Sequence, residues 1–395
     1  MKLVRITFIL ITIVFISSNC SKSSELATIE VANDLDVDRS FETVEVDLNS
    51  LDAFSNESAK TIQVVNKENG DMLLSQLVDT DGDGTMDVLL FQPEIKGHSK
   101  KQFTIIATPS EAKEDSTSMR CYSRFVPERT DDYAWENNRV AFRTFGPTAQ
   151  KMKEDGVQGG TLSSGIDAWL KRVEYPIIDK WYKKHTSGAG SYHEDSGEGL
   201  DNFHVGVSRG VGGTALKTDS TYAFSKNFIK WKTITNGPIR TSFVLDYASW
   251  DAEGKTILES KHISLDYGQN LSKFVIEVKG TDTLSVGMTL HKKDGNTRTK
   301  TTDGWMSYWE PFDDSELGQG LVIPKGYLVG HETYMTDRKD ESNLYAHLKV
   351  KECQIEYYAG FGWKKSGQFE TEKDWHDYLS DFSRKVRNPL KVTQL

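Results

Sequence analysis

The chain has 395 residues, and its 58 acidic side chains outnumber 48 basic ones for a net charge of −10. That balance disfavours nonspecific binding of nucleic acid or of an anionic membrane surface, so any anionic partner needs a local basic pocket. Three cysteines exclude a disulfide scaffold, and the length suffices for one large core or two unequal ones.

At the N-terminus, Lys2 and Arg5 precede an uncharged run from Ile6 to Ile16, then Ser17-Ser18-Asn19-Cys20. A basic start, a short apolar stretch and small residues before a break form a secretory signal, here residues 1–20. The run is too short to span a bilayer comfortably. Cys20 resembles a bacterial lipoprotein site, where the cysteine becomes the lipidated new N-terminus. Ser17 and Asn19 depart from the usual residues of that site, and a plain cleavable signal is the alternative. The expected location is the cell envelope, as a lipoprotein of the periplasm or outer membrane that touches the membrane only through its anchor. Losing residues 1–19 removes Lys2 and Arg5 and no acid, so the mature chain is more acidic still.

Residues 21–28 read as a polar tether. Thr43-Val-Glu-Val-Asp, Thr61-Ile-Gln-Val-Val, Val88-Leu-Leu-Phe and Phe103-Thr-Ile-Ile-Ala alternate apolar and polar residues. Asn69-Gly70 and the Asp-Gly pairs between them are hairpin signals. Residues 29–108 are therefore expected to form a small N-terminal β-sandwich, followed by a linker at 109–120. Residues 121–395 form a larger domain, again mostly strands, as in Phe228–Asp246, Lys255–Asp266 and Gln354–Ala359. Residues 147–215 are rich in Gly, His, Trp and Tyr with weak periodicity, the mark of functional loops. Thr371-Glu-Lys-Asp374 is a capping box, and Trp375, Tyr378, Leu379, Phe382 and Val386 mark one face of a helix that ends before Pro389. The fold class is all-β with one C-terminal helix. Cys121 and Cys353 remain after Cys20, and sequence cannot place them within bonding distance.

Asp79-Thr-Asp81-Gly-Asp83-Gly84-Thr-Met-Asp87 carries acids at positions one, three, five and nine of a calcium loop, with glycine at six. Alternate acids on a tight turn direct oxygens at one centre, which suits a structural calcium ion. Leu90 stands where such a loop needs a bidentate Glu, and a solvated Asp-Gly turn accounts for the same residues. No cofactor is required for chemistry.

Tyr192-His193 and Asp201-Asn-Phe-His204 lie among glycines that permit close approach of a ligand. A zinc site built on His193 and His204 matches no familiar spacing, and either histidine has the plainer reading of a satisfied loop residue. Upstream, Lys171, Tyr175, Lys180 and Trp181 mix cations with aromatics, a mixture that suits an acidic sugar: rings cover C–H faces and cations take the carboxylate or sulfate. An ordinary amphipathic strand is the alternative. Arg143 is read as pointing into a cleft on the strand face it shares with Arg139. Trp305 and Trp309 are a candidate sugar platform, although aromatics in a β-protein are commonly core. No nucleophile elbow or phosphate loop appears.

Ala134-Trp-Glu-Asn-Asn-Arg-Val-Ala-Phe-Arg-Thr-Phe-Gly-Pro147, Ser164-Gly-Ile-Asp-Ala-Trp169, Tyr175-Pro-Ile-Ile-Asp-Lys-Trp-Tyr182 and the stretch 192–213 resemble a Bacteroidota family of polysaccharide-degradation proteins long labelled only as a domain of unknown function. Within it the likeness is to ulvan oligosaccharide dehydratases of marine flavobacteria. The resemblance implies β-sandwich architecture, with a C-terminal part similar to galactose-mutarotase-like supersandwiches. It also implies a carbon–oxygen lyase that removes water across C4–C5 of a non-reducing-end glucuronate or iduronate on a sulfated oligosaccharide. A chain-cleaving polysaccharide lyase and a non-catalytic carbohydrate-binding surface lipoprotein are the competing classes. The residues assigned here to the chemistry are His193 or His204 as base and the other histidine, Tyr175 or Tyr192 as acid. An unperturbed imidazole titrates near ~6.5 and accepts a proton at neutral pH. Arg143, with Lys171 or Lys180, is assigned to the substrate carboxylate.

If Cys20 carries the anchor, Cys20→Ala moves the protein from the membrane fraction to the soluble fraction. An unchanged distribution in fractionated cells would overturn the lipoprotein reading.

Overall fold

The computed structural model describes residues 24–51, 61–108 and 120–395; the signal segment with Cys20 and most of the expected linker lie outside them. The fold is mostly β with few helices, as the alternation demands. In Thr61–Asn66 every second residue is buried, Ile62 and Val64 among them, which is a strand with one face on a core and one in water.

The N-terminal part has a five-stranded antiparallel sheet in the order Lys391–Gln394, Ser24–Ala32, Lys100–Thr108, Thr61–Asn66, Met72–Leu73. A three-stranded sheet of Val44–Asp47, Val88–Phe91 and Ser75–Val78 shares its core, in which Ile29, Val31, Val64, Ile105, Leu89 and Phe91 pack together. Two expectations are corrected. The strand begins at Ser24, inside the expected tether, because Ala27, Ile29 and Val31 all turn inward. The chain also returns: Lys391–Gln394 pairs with Ile29–Ala32, so the last residues complete the first sheet.

The larger part holds three antiparallel sheets. Five strands run in the order Gly199–Leu200, Asp167–Lys171, Ala141–Thr144, Asp132–Glu136, Tyr122–Val126. A second five-stranded sheet centres on Val211–Lys217, Thr283–Thr289 and Asn343–Lys349. A nine-stranded sheet runs through Arg240–Tyr247, Lys255–Asp266, Leu271–Lys279, Gln354–Trp363, Ser315–Val322 and Trp305–Phe312. One core joins all three, with Trp135, Phe142, Phe243, Ile263, Val286, Leu344 and Tyr357 fully buried in it.

Residues 147–215 are more regular than their sequence suggested. They contain α1, Pro147–Glu154, and α2, Ile178–Thr186. Both are too short to show helical periodicity, although Pro147 at the first turn is a helix-start signal. The C-terminal helix α3 spans Glu372–Arg387, and its box closes as read: Thr371 and Asp374 cap each other. Its apolar face, with Trp375 and Leu379 buried, lies on Trp305, Trp309 and Phe369. Gly318 makes the close approach, since a Cβ there would come within 2.6 Å of the Trp309 and Trp375 rings. Among the described residues no helix is long and apolar enough to cross a membrane.

Candidate active site

Asp132–Glu136, Ala141–Thr144 and Asp167–Lys171 are buried on both faces. Alternation sends Tyr133, Trp135, Phe142, Ala168 and Leu170 into the main core. The opposite face carries Asp132, Glu136, Arg143, Asp167, Trp169 and Lys171, covered by Trp181 and Tyr182 of α2 and by Tyr192. Charges on a covered face must neutralise one another. Lys171 gives all three ammonium protons away, to Glu136 at 2.7 Å and to the carbonyls of Asn137 and Tyr175 at 2.9 Å. Glu136 in turn accepts from the amides of Ile177 and Ile178 at 2.8–2.9 Å, where α2 begins. A carboxylate there satisfies orphan helix amides and complements the dipole.

Arg143 is held still more closely. It donates to Asp167 at 2.9 Å through Nε, to Asp201 at 2.8 Å through Nη2 and to the Tyr192 hydroxyl at 3.2 Å through Nη1. Asp132 lies 3.7 Å away, and Arg129 donates to the same Tyr192 oxygen at 3.0 Å. His193, on the solvent side, has Nδ1 2.6 Å from the Asp201 carbonyl oxygen.

Asp201 leads directly into Asn202 and His204, which line a cleft of about 430 Å³. Its other walls are Thr289–Lys293 at the end of a strand, Glu310–Asp313 at the end of another, and the loop 337–342. His291 sits between Glu310, 2.7 Å from Nδ1, and the His204 carbonyl, 3.1 Å from Nε2. A neutral ring donates to only one of these acceptors, whereas the imidazolium donates to both. Glu310 is fully buried. Its Oε1 accepts from Gln319 at 3.3 Å, while Oε2 has no partner among the described residues. His204 is exposed and holds Asp340 at 2.9 Å through Nε2. Lys292, Lys293, Arg338 and Lys339 supply positive charge along the walls. Of the acids facing them, Glu310, Asp340 and Asp313 are already engaged by His291, His204 and Asn202. The arrangement offers two imidazoles, each set by a carboxylate, in a cleft whose lysines can receive an anion.

Residues 31–392 match the family described as "Domain of unknown function (DUF4861)". The chain belongs to this family. It is 54% identical over 394 residues, all of both chains, to "Uncharacterized protein P7" of Formosa agariphila. Among solved structures it is similar to a protein in glycosyl hydrolase family 38 from Enterococcus faecalis, with a TM-score of 0.45 and 10% identity over 93% of this chain. The chain spans about half the length of that protein, 47%.

In this DUF4861 chain the residues singled out from sequence fall in separate places. His204 lines the cleft; His193, Tyr192 and Arg143 belong to the carboxylate cluster beside it. Tyr175, Lys180 and Trp181 converge instead on Glu198, to which each donates a hydrogen bond. Five substrate-contact assignments are corrected. Arg143 and Lys171 are buried with every strong donor engaged, and Trp305 and Trp309 are 3% and 5% exposed beneath α3. Trp181 is likewise core, and the Tyr192 hydroxyl is turned inward to two arginines. Cys121 is buried and Cys353 exposed, and they are unpaired. His291 and Glu310 were missed; the signal was Leu-His-Lys-Lys at a strand end and Glu310 in the aromatic run 305–312.

In the turn at 79–87, Asp79, Asp81 and Asp87 bring oxygens within 4.8 Å of one another, and Asp83 stays outside this group. Asp79 accepts from the amides of Gly82 and Gly84, and Asp87 from Thr80. Leu90, at the twelfth loop position, is buried within the strand Val88–Phe91.

Burial raises the carboxyls around Arg143, to about 6 for Asp132 and Asp201 and about 7 for Asp167. An unfolded aspartate titrates near ~3.9, so between that value and these the folded state holds protons that the unfolded state has released. The resulting stabilisation is full below about pH 4 and is lost as pH rises through about 6 to 7. Asp167→Asn should flatten this component of the melting temperature between about pH 5 and pH 8; an unaltered slope would place the proton elsewhere. Arg143→Ala strands three acids and should cost about 3–5 kcal/mol in denaturant unfolding.

Proposed function

We propose that this protein is an oligosaccharide dehydratase, a carbon–oxygen lyase that removes water across C4–C5 of the non-reducing-end glucuronate or iduronate of ulvan-type sulfated oligosaccharides. The observation that carries the reading is the cleft, in which His204 and His291 stand beside each other, each on a carboxylate, with lysines at the walls. In this mechanism Lys292, Lys293 and Lys339 neutralise the uronate carboxylate, which lets C5 release its proton and stabilises the enolate-like intermediate. His204, oriented by Asp340, takes the C5 proton. The C5–H electron pair becomes the C4–C5 double bond, and the C4–O bond breaks. His291, held at Nδ1 by Glu310, exchanges its Nε2 contact with the His204 carbonyl for the substrate oxygen and supplies the proton with which the 4-hydroxyl departs as water. No cofactor enters these steps.

The same reading takes the chain as a small N-terminal β-sandwich followed by a galactose-mutarotase-like supersandwich, anchored in the cell envelope through Cys20. Its partner is the anionic oligosaccharide rather than nucleic acid. A structural calcium ion on Asp79, Asp81 and Asp87 belongs to the proposal as a stabiliser of the N-terminal turn. Chelator should then lower the melting temperature while leaving activity at low temperature, because a ligand of the folded state stabilises only that state. Asp81→Ala should remove the sensitivity, and a chelator-insensitive midpoint leaves a plain turn.

Incubation with a saturated, uronate-terminated oligosaccharide tests the reaction. Absorbance rising near ~235 nm without shortening of the chain is expected. A rise with shorter products identifies a chain-cleaving lyase, and binding without a rise identifies a carbohydrate-binding protein. His204→Ala and His291→Ala should each lower kcat by ~10²–10⁴ with the fold intact, while His193→Ala, on the other side of Asp201, should lose less. If both cleft variants keep full activity, the acid and base lie elsewhere.

A further inference from the structure

The inner face of Lys255–Asp266 reads Ile257, Glu259, Lys261, Ile263, Leu265, all buried. Two charges thus interrupt an apolar face deep between the sheets. Arg209 approaches from the opposite side with no exposure at all. Its stem packs on Gly287, where a Cβ would come within 2.7 Å, and its guanidinium lies 3.7 Å from the Phe224 ring centre.

The partners of these groups do not balance. Arg209 donates to the Ser164 hydroxyl at 3.0 Å and to the Thr214 and Val207 carbonyls at 3.1 and 2.8 Å, and to no carboxylate among the described residues. Thr214 donates to Glu259 Oε1. Lys261 Nζ stands 3.4 Å from that same oxygen, beyond the ~2.7–2.9 Å of a charge-assisted hydrogen bond. Four buried polar atoms of this neighbourhood have no acceptor among the described residues: Lys261 Nζ, Arg209 Nε, the Tyr247 hydroxyl and Ser225 Oγ. Lys261 Nζ lies 4.4 Å above the Tyr247 ring. Against these donors stands one unpartnered acceptor, Glu259 Oε2. Two buried cations face one buried carboxylate, because Glu341, whose charge also acts on Arg209, is partly exposed and paired with Arg338 at 3.0 Å; burial pushes Lys261 down and Arg209 to about 10.

An excess of buried donors together with one uncompensated positive charge calls for a ligand that only accepts and carries one negative charge. We propose that a monovalent inorganic anion of the halide class is bound in the core beside Lys261 and Arg209. A divalent oxyanion would reverse the charge imbalance rather than cancel it. A neutral water can accept from these donors but leaves the second cation unneutralised. Because the surrounding side chains are nearly all withdrawn from solvent, the ion enters when the sheets open locally and behaves as part of the folded structure. This site is independent of the cleft and of the reaction assigned to it.

The test uses the intact protein in sodium chloride and in sodium isethionate at equal ionic strength. Chloride should raise the melting temperature saturably, by roughly 3 °C, and crystals grown in bromide should show an anomalous peak beside Lys261 Nζ. In Lys261→Met the chloride response should disappear. Should that variant fail to fold, the bromide peak in the unaltered protein still decides. Equal melting in both salts with no anomalous peak means that water fills the cluster, and the proposal is overturned.

Discussion

The neutralisation of charge on the covered face of Asp132–Glu136, Ala141–Thr144 and Asp167–Lys171 is the constraint on which the site depends. Each ion there lost its hydration on folding, a cost that is offset only when geometry satisfies nearly every donor and acceptor. Lys171 and Glu136 fix where α2 starts. Arg143 binds Asp201 from the far side of the loop, and Asp201 fixes the segment that carries His204 into the cleft. A loop of this length would otherwise be free to wander. Four ionic side chains in a dry layer give it one position.

The cleft is assembled from pieces with little in common in sequence. Asn202 and His204 arrive from the glycine-rich loop, His291 from the end of a strand in one sheet, Glu310 from the neighbouring sheet, and Asp340 from a hairpin loop. What unites them is that strand ends and loops of two sheets meet at one end of the large core. A fully buried carboxylate beneath a histidine is costly unless it does something for that ring, and the Glu310 pair with His291 sets the ring's orientation. Exposed His204 on Asp340 lacks that enclosure, so the two imidazoles have different surroundings within one cavity. Such a difference is what separates an acid from a base in a common site.

The aromatic residues divide along the same physical line. Trp305 and Trp309 looked like a platform because sugars and cores both favour large rings. The C-terminal helix takes them: Trp375 and Leu379 need an apolar partner, and the outer surface of the nine-stranded sheet provides it. Trp169, Trp181 and Tyr182 play the same part beneath α2, sealing the ionic layer from water.

Period-two alternation, the Asp-Gly turns and the capping box at Thr371 were legible in the sequence, because hairpins and helix starts are decided by residues a few positions apart. Hence the all-β class and α3 were readable from the chain, and so was the loop that carries His204. α1 and α2 were not, since helices of two turns carry little periodic signal. The strand Lys391–Gln394 depends on a partner at the opposite end of the chain. The engagement of Arg143 by Asp132, Asp167 and Asp201, and the meeting of His204, His291 and Glu310, likewise join residues far apart in sequence. Local sequence fixes which way a side chain points along its own strand. Only the packing of one sheet on another decides whether it meets water, a carboxylate or a ring.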